Sequence, residues 1–213
     1  NEYEFVGHGL RSGDGRERME EGLDLLQRAW REAPLSFKGQ YSQVEVPEIR
    51  PKPVQKPHPP LWRSVISPGS FVECGRLGIP ILTSRLPVDK IAERWALYNQ
   101  GLDEGGHDVA TRARLLAQSA LWRNVYVAEL LRESRHHMMH VRETLNPPDF
   151  APDPMTLNAW TDPAVGDETA VPFVLETGSI YGSPATVRDR VAELREAGVQ
   201  HLLCQTGFGD MSQ

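Results

Sequence analysis

Two serines and a glycine at a predicted strand-to-helix turn have the types and spacing to bind a phosphate. The segment Ile66-Ser67-Pro68-Gly69-Ser70 follows a short apolar run, and Ser67 can act as the N-cap with Pro68 at the first helical position. The first turn of a helix presents backbone N–H groups without intrahelical partners and the positive end of the helix dipole. We therefore predict that Ser67, Ser70 and the backbone from Ile66 to Gly69 form an anion-binding turn. The alternative is an ordinary capped helix start that binds no ligand.

A strand, a helix and a second strand must position this turn. The apolar run 61–66 predicts the first strand, and a helix over 68–77 ends at Gly78. A second apolar run at 79–83 is short enough for a buried parallel strand. The pattern indicates one βαβ unit with the turn at the carboxyl end of its first strand. The proline-rich segment 51–60 predicts an extended lead-in, and a polyproline ligand for a partner domain is the less favoured interpretation.

The rest of the chain alternates predicted helices with short apolar runs. An amphipathic helix is predicted at 15–32, capped by Asp14. Further helices are predicted from Pro87 to Gly105-Gly106, from Ala128 to about Leu145 and from Ser183 to Gly198. Residues 1–13 are predicted as a loop, and 112–127 as one strand or as two strands with a bend at 122–124. Toward the end of the sequence, the chain is predicted to return to the core at 171–175, to turn at 178–182 and to form a strand at 199–204. Strands alternating with helices predict an α/β fold with a parallel sheet.

The predicted sheet has about four principal strands, which is too few to stand alone, because parallel strands are normally covered on both faces and at their edges. A complete (β/α)₈ barrel takes ~250 residues, so 213 residues match about half of a barrel plus an insertion. The proline-rich loop 146–169, with scattered apolar residues, is predicted as a lid. We expect a single partial-barrel domain over 1–213. Because the sequence starts at Asn1 without a methionine, we also expect a piece of a longer protein.

Composition narrows the classes of partner. The formal net charge of -6 argues against nucleic acid or an anionic membrane as the main partner, since both favour a basic face. No apolar run approaches the ~18 residues of a membrane span, so we expect a cytoplasmic protein. Cys74 and Cys204 are too few for a disulfide scaffold, and each falls in an element expected to be buried. We interpret them as reduced structural thiols.

Three further groups of residues have a chemical interpretation and a plainer one. His136, His137 and His140 place two imidazoles one helical turn apart, which suits a metal, but no HExxH pattern is present and arginines flank the run. We therefore predict packing or exposure and no metal site. The loop 205–209 at the end of the last strand either lets the backbone approach a cofactor or is a plain turn. Trp122 and Trp160 either line a pocket or pack in the core or lid.

Three stretches of the sequence together resemble the bacterial luciferase-like flavin-dependent monooxygenases. The first is 16–23 with Trp30 and 37–41, the second is 51–62 with 67–70 and Gly78, and the third is 182–188 with 198–199. The proline-rich second stretch, PKPVQKPHPPLW, is the most specific of them. The similarity covers most of the chain in the right order.

The resemblance implies the second half of a (β/α)₈ barrel, with roughly strands five to eight present. Family members use reduced FMN or, in a related branch, a reduced deazaflavin, and they commonly form homodimers. The resemblance places the flavin phosphate at Ile66, Ser67, Gly69 and Ser70, and implies a further contact from Arg16, or from Arg18 in another register. The family's catalytic positions lie largely on the early strands, so no catalytic residue is assigned.

The leading functional hypothesis is a flavin-dependent monooxygenase that inserts oxygen from O₂ into a small organic substrate through reduced FMN, with a flavin reductase as a further partner. We expect residues 1–213 alone to be inactive. Two alternatives stay open: a deazaflavin-dependent oxidoreductase of the same fold that transfers hydride, and a noncatalytic half-barrel subunit.

Overall fold

A computed structural model describes residues 2–84, 86–127, 139, 162 and 164–206. The chain forms two compact units, Asn1–Pro60 and Leu61–Gln213, and each is described by itself. Within the described residues, no helix has both the length and the apolar character needed to cross a membrane.

The first unit is a helical segment followed by a hairpin. It contains α1 (Glu2–Gly7), a 3₁₀ turn (Ser12–Asp14), α2 (Gly15–Arg31), β1 (Leu35–Lys38) and β2 (Gln43–Val46), with β1 and β2 antiparallel. The predicted loop at 1–13 is therefore wrong over α1, where no glycine or proline interrupts residues 2–6. The helix predicted at 15–32 is confirmed as α2, but the Asp14 side chain makes no capping hydrogen bond.

The hairpin is tied to α2 by side chains that repeat at helical spacing. The Glu21 carboxylate accepts hydrogen bonds from the backbone N–H groups of Gln40 (2.6 Å) and Tyr41 (3.0 Å). The Arg18 guanidinium lies over the Tyr41 ring, 4.2 Å from its centroid. At the other end of α2, the Lys52 ammonium donates to the carbonyl of Ala29, 2.8 Å away, and so caps the helix.

The second unit is a parallel sheet with helices between its strands. In chain order it contains β3 (Arg63–Ser64), α3 (Pro68–Leu77), β4 (Ile81–Ser84), α4 (Val88–Glu104), α5 (Val109–Gln118), β5 (Ala120–Val127), α6 (Asp167–Thr177), β6 (Ser179–Gly182), α7 (Pro184–Glu196) and β7 (His201–Gln205). All the strand pairs are parallel: β3 with β4, β4 with β5, and β5 with both β6 and β7. The predicted α/β class with a parallel sheet is confirmed, and within the described residues this sheet does not close into a barrel.

Strand β5 exchanges one neighbour for another along a single edge. Residues 120–122 pair with both β4 and β7, and Asn124 pairs with both Gln205 of β7 and Ser179 of β6. A strand has two edges, so β7 occupies one of them, while β4 and then β6 share the other. The exchange falls at Arg123, between the last residue paired with β4 and the first paired with β6.

The core lies between the sheet and helices α3, α4 and α7. Leu121 of β5 packs in one buried cluster with side chains that include Phe71, Trp95 and Leu194. Helices α3 and α4 approach so closely that a Cβ atom on Gly101 would lie 2.1 Å from the carbonyl oxygen of Val72. The core therefore depends on bulky side chains facing the sheet and on small residues between the two helices.

Three element predictions in the second unit are wrong. The strand predicted within 112–127 holds for β5 at 120–127. Residues 112–118 belong to α5 instead, since Asp108 accepts the N–H of Thr111 (2.7 Å) as an N-cap and the segment is rich in good helix formers. The end of the predicted loop 146–169 is wrong, because residues 167–169 begin α6, which continues through Pro172. The return of 171–175 toward the core is confirmed, since Val171 is buried. The predicted turn at 178–182 is β6, because its backbone pairs with β5.

Most other predictions in this unit hold, although the strands predicted at 61–66, 79–83 and 199–204 are observed with the bounds of β3, β4 and β7; the burial predicted for Cys204 is wrong, and some predictions lie outside the described residues. Helices α3, α4 and α7 begin and end within two residues of the predicted limits, and Gly78 follows α3 with a φ of 67°. Cys74 is buried as predicted, whereas Cys204 is exposed because it lies at the end of β7. The helix predicted from Ala128 and most of the loop 146–169 lie outside the described residues.

Candidate functional site

The turn from Ile66 to Ser70 lies at the carboxyl edge of the sheet. It follows β3, whose pairing with β4 continues through the hydrogen bond from the Val65 N–H to the Leu82 carbonyl (2.9 Å). Because all the strands are parallel, their carboxyl ends meet at this edge. Ile66 is 62% exposed and Gly69 is exposed, so solvent reaches the turn.

The hydrogen bonds of the turn leave donors for an external group. Ser67 stands at the N-cap of α3, but its hydroxyl accepts no backbone N–H; it contacts the Ser70 hydroxyl at 2.8 Å instead. Proline has no N–H at position 68, and the Gly69 N–H has no hydrogen-bond acceptor within the described part of the chain. The Ser70 N–H donates to the Ser67 carbonyl at 3.1 Å. One hydroxyl proton and one amide therefore remain to bind an anion.

A second Ser-Pro helix start provides an internal comparison. Ser183 precedes Pro184 at the start of α7, as Ser67 precedes Pro68 at the start of α3. The Ser183 hydroxyl accepts the backbone N–H of Thr186 at 3.2 Å, so it does cap its helix. The same two-residue pattern thus serves helix capping at one turn and leaves the amides uncapped at the other.

Polar groups of two more strands reach the same edge. Trp122 and Asn124 alternate with Leu121 along β5, so they face away from the core cluster that contains Leu121, and both are half-buried. Asn124 is paired in register with Gln205, the last residue of β7. The interpretation of 205–209 stays open, because only its first two residues are described.

The other residues with a predicted chemical role are not part of the turn 66–70. Arg16 is exposed in the first turn of α2, in the first unit, so its contact with the phosphate stays a prediction. Arg18 packs on Tyr41. His136, His137 and His140 lie outside the described residues, among which no group of His, Cys, Asp and Glu side chains is arranged to hold a metal.

The turn fits a phosphate chemically. It offers hydroxyl and amide donors at a helix N-terminus and contains no acidic side chain between 66 and 70. A Cβ atom built on Gly69 would meet no atom within 4 Å, so the space above the backbone is open. The geometry supports a site for the phosphate of a nucleotide cofactor.

One buried charge was missed by the sequence predictions. Arg123 is 2% exposed in β5, and it lines a cavity of about 540 Å³ that shares no lining residue with the turn 66–70. The sequence did contain a signal for this buried charge, namely a charged residue inside an apolar run predicted as strand. The prediction interpreted 122–124 only as a possible bend.

A parallel sheet with helices between its strands defines an α/β protein, and the turn 66–70 lies at the carboxyl edge of that sheet. Residues 1–201 match the model of the luciferase-like monooxygenase family, and the chain belongs to that family. The predicted resemblance is confirmed.

Solved structures with the same fold include enzymes of two cofactor types. Monooxygenase RslO1 from Streptomyces bottropensis has a TM-score of 0.68 and 19% identity, covering 95% of this chain and 57% of its own. The FMN complex of the oxygenating constituent of 3,6-diketocamphane monooxygenase from Pseudomonas putida has a TM-score of 0.62 and 17% identity. The match covers 97% of this chain and 62% of that chain. An F420-dependent secondary alcohol dehydrogenase with an F420-acetone adduct has a TM-score of 0.61 and 18% identity. The match covers 86% of this chain and 54% of that chain.

The chain matches only part of its relatives. It is 24% identical over 198 residues to the uncharacterized protein y4wF of Sinorhizobium fredii (strain NBRC 101917 / NGR234), covering 91% of this chain and 55% of that protein. The chain therefore spans about half the length of the curated relative that it matches.

Proposed function

We propose that this chain provides the phosphate-binding half of a flavin-dependent monooxygenase that inserts oxygen from O₂ into a small organic substrate through reduced FMN. The observation that carries the proposal is the β3–α3 turn, where a helix N-terminus and a serine pair are exposed and uncapped at the carboxyl edge of the sheet. Membership of the luciferase-like monooxygenase family and the FMN complex of a protein with the same fold support this assignment.

The chain's own residues bind and orient the cofactor in this proposal. Ser67 and Ser70 donate through their shared hydroxyl pair, and the Gly69 N–H donates from the backbone. The Trp122 and Asn124 side chains face the same edge. The flavin, when bound, supplies the reaction with O₂, and the protein orients it and excludes water.

The proposal extends to the whole protein as predicted from the family resemblance. It comprises a homodimer, one partial-barrel domain over 1–213, and a flavin reductase that supplies the reduced cofactor; composition, rather than the resemblance, predicts the cytoplasmic location.

The test compares FMN with riboflavin, which lacks the phosphate. We expect the protein to bind FMN more tightly than riboflavin, and Ser67→Ala plus Ser70→Ala to weaken FMN binding by ~10-fold or more, because hydrogen bonds to a charged group contribute about 1.5–3 kcal/mol each. Riboflavin affinity should not change. Flavin fluorescence quenching measures all four affinities.

Ser183→Ala is the matched control, since it alters the other Ser-Pro helix start. FMN affinity should be unchanged in this variant. Equal affinities of the wild type and the double variant for FMN would remove the phosphate assignment.

A deazaflavin-dependent oxidoreductase is the second candidate, because an F420-dependent dehydrogenase shares the fold. Such a protein would bind F420 in preference to FMN and transfer hydride without O₂. Oxygen consumption with reduced FMN and a titration with F420 separate the two candidates. Failure to bind either cofactor would favour the noncatalytic half-barrel.

A further inference from the structure

The cavity beside Arg123 contains a buried positive charge that has no negative partner among the residues that the structure describes. The guanidinium donates to the backbone carbonyl of Leu86 and, at 3.3 Å, to that of Trp122. It forms no ion pair with any carboxylate of the described residues. Carbonyl oxygens satisfy two of its N–H groups but do not neutralise its charge, and isolated buried charges are strongly unfavourable.

The exchange of neighbours along β5 explains the two hydrogen bonds. Strand β4 leaves the edge of β5 after Ser84, and β6 joins at Asn124, so Leu86 lies at the gap between them. Arg123 reaches across this gap to the Leu86 carbonyl. A neutral donor such as glutamine also serves that purpose, so the structural role leaves the positive charge unexplained.

The guanidinium is charged at neutral pH. Burial lowers the pKa of Arg123 to about 10, which is still well above 7. Nearby, burial raises the pKa of Tyr181 to about 12, so the Tyr181 phenol in the cavity wall keeps its proton. The cavity wall therefore includes a permanent buried cation and a protonated hydroxyl.

The other charges around the cavity limit the charge of its occupant. Asp89 of α4, Glu176 of α6 and Glu193 of α7 line the cavity together with Arg190. Arg190 is paired with Glu193 at 2.7 Å, so the carboxylates of Asp89 and Glu176 remain in the cavity wall. These carboxylates disfavour a dianion such as phosphate more than a single carboxylate.

Apolar side chains make up much of the remaining wall. Val88, Leu175, Ile180 and Leu194 lie around the cavity, whose volume of about 540 Å³ suits a small organic molecule. A ligand with an apolar body and one carboxylate would match this lining and pair with the planar donor groups of arginine.

We propose that this cavity binds a small organic monocarboxylate, with the Arg123 guanidinium as its ionic partner and the apolar wall around its body. The site is independent of the proposed flavin site and concerns binding only.

The test uses sodium benzoate as the probe and benzyl alcohol as its neutral counterpart, with no flavin present. Calorimetric titration of the wild-type chain should show saturable benzoate binding at least ~10-fold tighter than that of benzyl alcohol, as expected for a charge-assisted contact. Arg123→Leu should lose this preference. Arg188→Leu, an exposed arginine of α7 that does not line the cavity, should keep it.

A second measurement does not depend on the folding of the variant. In the wild-type chain, benzoate should shift the side-chain Nε–H resonance of Arg123 in ¹H–¹⁵N spectra, and benzyl alcohol should not. Equal binding of the two probes, retained preference in folded Arg123→Leu, or an unmoved Arg123 resonance would each overturn the proposal. None of these outcomes bears on FMN binding.

Discussion

Ser67 and Ser183 occupy equivalent sequence positions but form different hydrogen bonds. Each precedes a proline at the start of a helix and contacts a hydroxyl three residues later: Ser70 at 2.8 Å and Thr186 at 3.1 Å. Only Ser183 also accepts a backbone N–H. The sequence predicts both N-caps, but it does not predict which hydroxyl accepts an amide, because this depends on small differences in backbone geometry.

The first prediction uses these two serines as a matched pair. Ser183→Ala should lower the free energy of unfolding by about 0.5–2 kcal/mol, because a helix cap is lost. Ser67→Ala should cost clearly less, since no amide loses its acceptor. Urea denaturation followed by circular dichroism measures both values. Equal losses would mean that Ser67 caps its helix in solution, and would weaken the case for a ligand at that turn.

The contact of Arg123 is one that could not be predicted from the sequence. Its acceptor on Leu86 lies 37 residues away, at a gap created by the pairing of three strands. No local pattern encodes such a contact. The chemistry of the turn 66–70 was predictable because all of its groups are adjacent in sequence, whereas that of the cavity was not.

Among the elements, helices with local signals were predicted best. Helices α3 and α4 have apolar periodicity and a glycine beyond the last turn, and both end where expected. The segment 112–118 was misassigned because its leucines suggested a strand, although Asp108 provides an N-cap. Strand β6 was missed because four residues give little periodic signal, and its pairing with β5 is a tertiary effect.

The close contact of α3 and α4 gives the second prediction. Gly101→Ala should destabilise the protein by about 1–3 kcal/mol, because the added methyl group meets backbone atoms of the neighbouring helix that cannot rotate away. Thermal unfolding should show the loss as a lower Tm.

Gly22→Ala is the control for helix propensity. Gly22 lies within α2, and a Cβ atom there meets nothing within 4 Å. This variant should be stabilised by roughly 0.5–1 kcal/mol, because alanine favours the helix. A Gly101→Ala protein as stable as the wild type would contradict the close helix contact.

At the scale of the whole chain, the two units have unequal cores. In the first, the buried apolar residues among those described are Ala29, Leu35 and Phe37. In the second, a large cluster joins the sheet to α3, α4 and α7. Local stability follows buried apolar contact, so the units should differ in the free energy of opening.

The third prediction follows from this difference. Backbone amides in the middle of α2 should exchange with deuterium faster than those in the middle of α4, by ~10-fold or more, because less apolar surface opposes their opening. Hydrogen-exchange mass spectrometry resolves the two helices. Equal protection of both would indicate that the chain opens as one cooperative unit and would contradict this prediction.

The fold class and family were predictable from the sequence because they rest on alternation and on motifs spread over the chain. The order of the strands around β5 was not predictable from the sequence, because β5 pairs with three strands, β4, β6 and β7.

The pairing of β5 with three strands has a consequence for insertions and deletions in β5. One extra residue after Asn124 would leave the ladders to β4 and β7 untouched. It would invert the alternation of side chains opposite β6, so that Tyr126 would no longer lie beside Tyr181. The carboxyl half of β5 therefore tolerates a change of residue type more readily than a change of length.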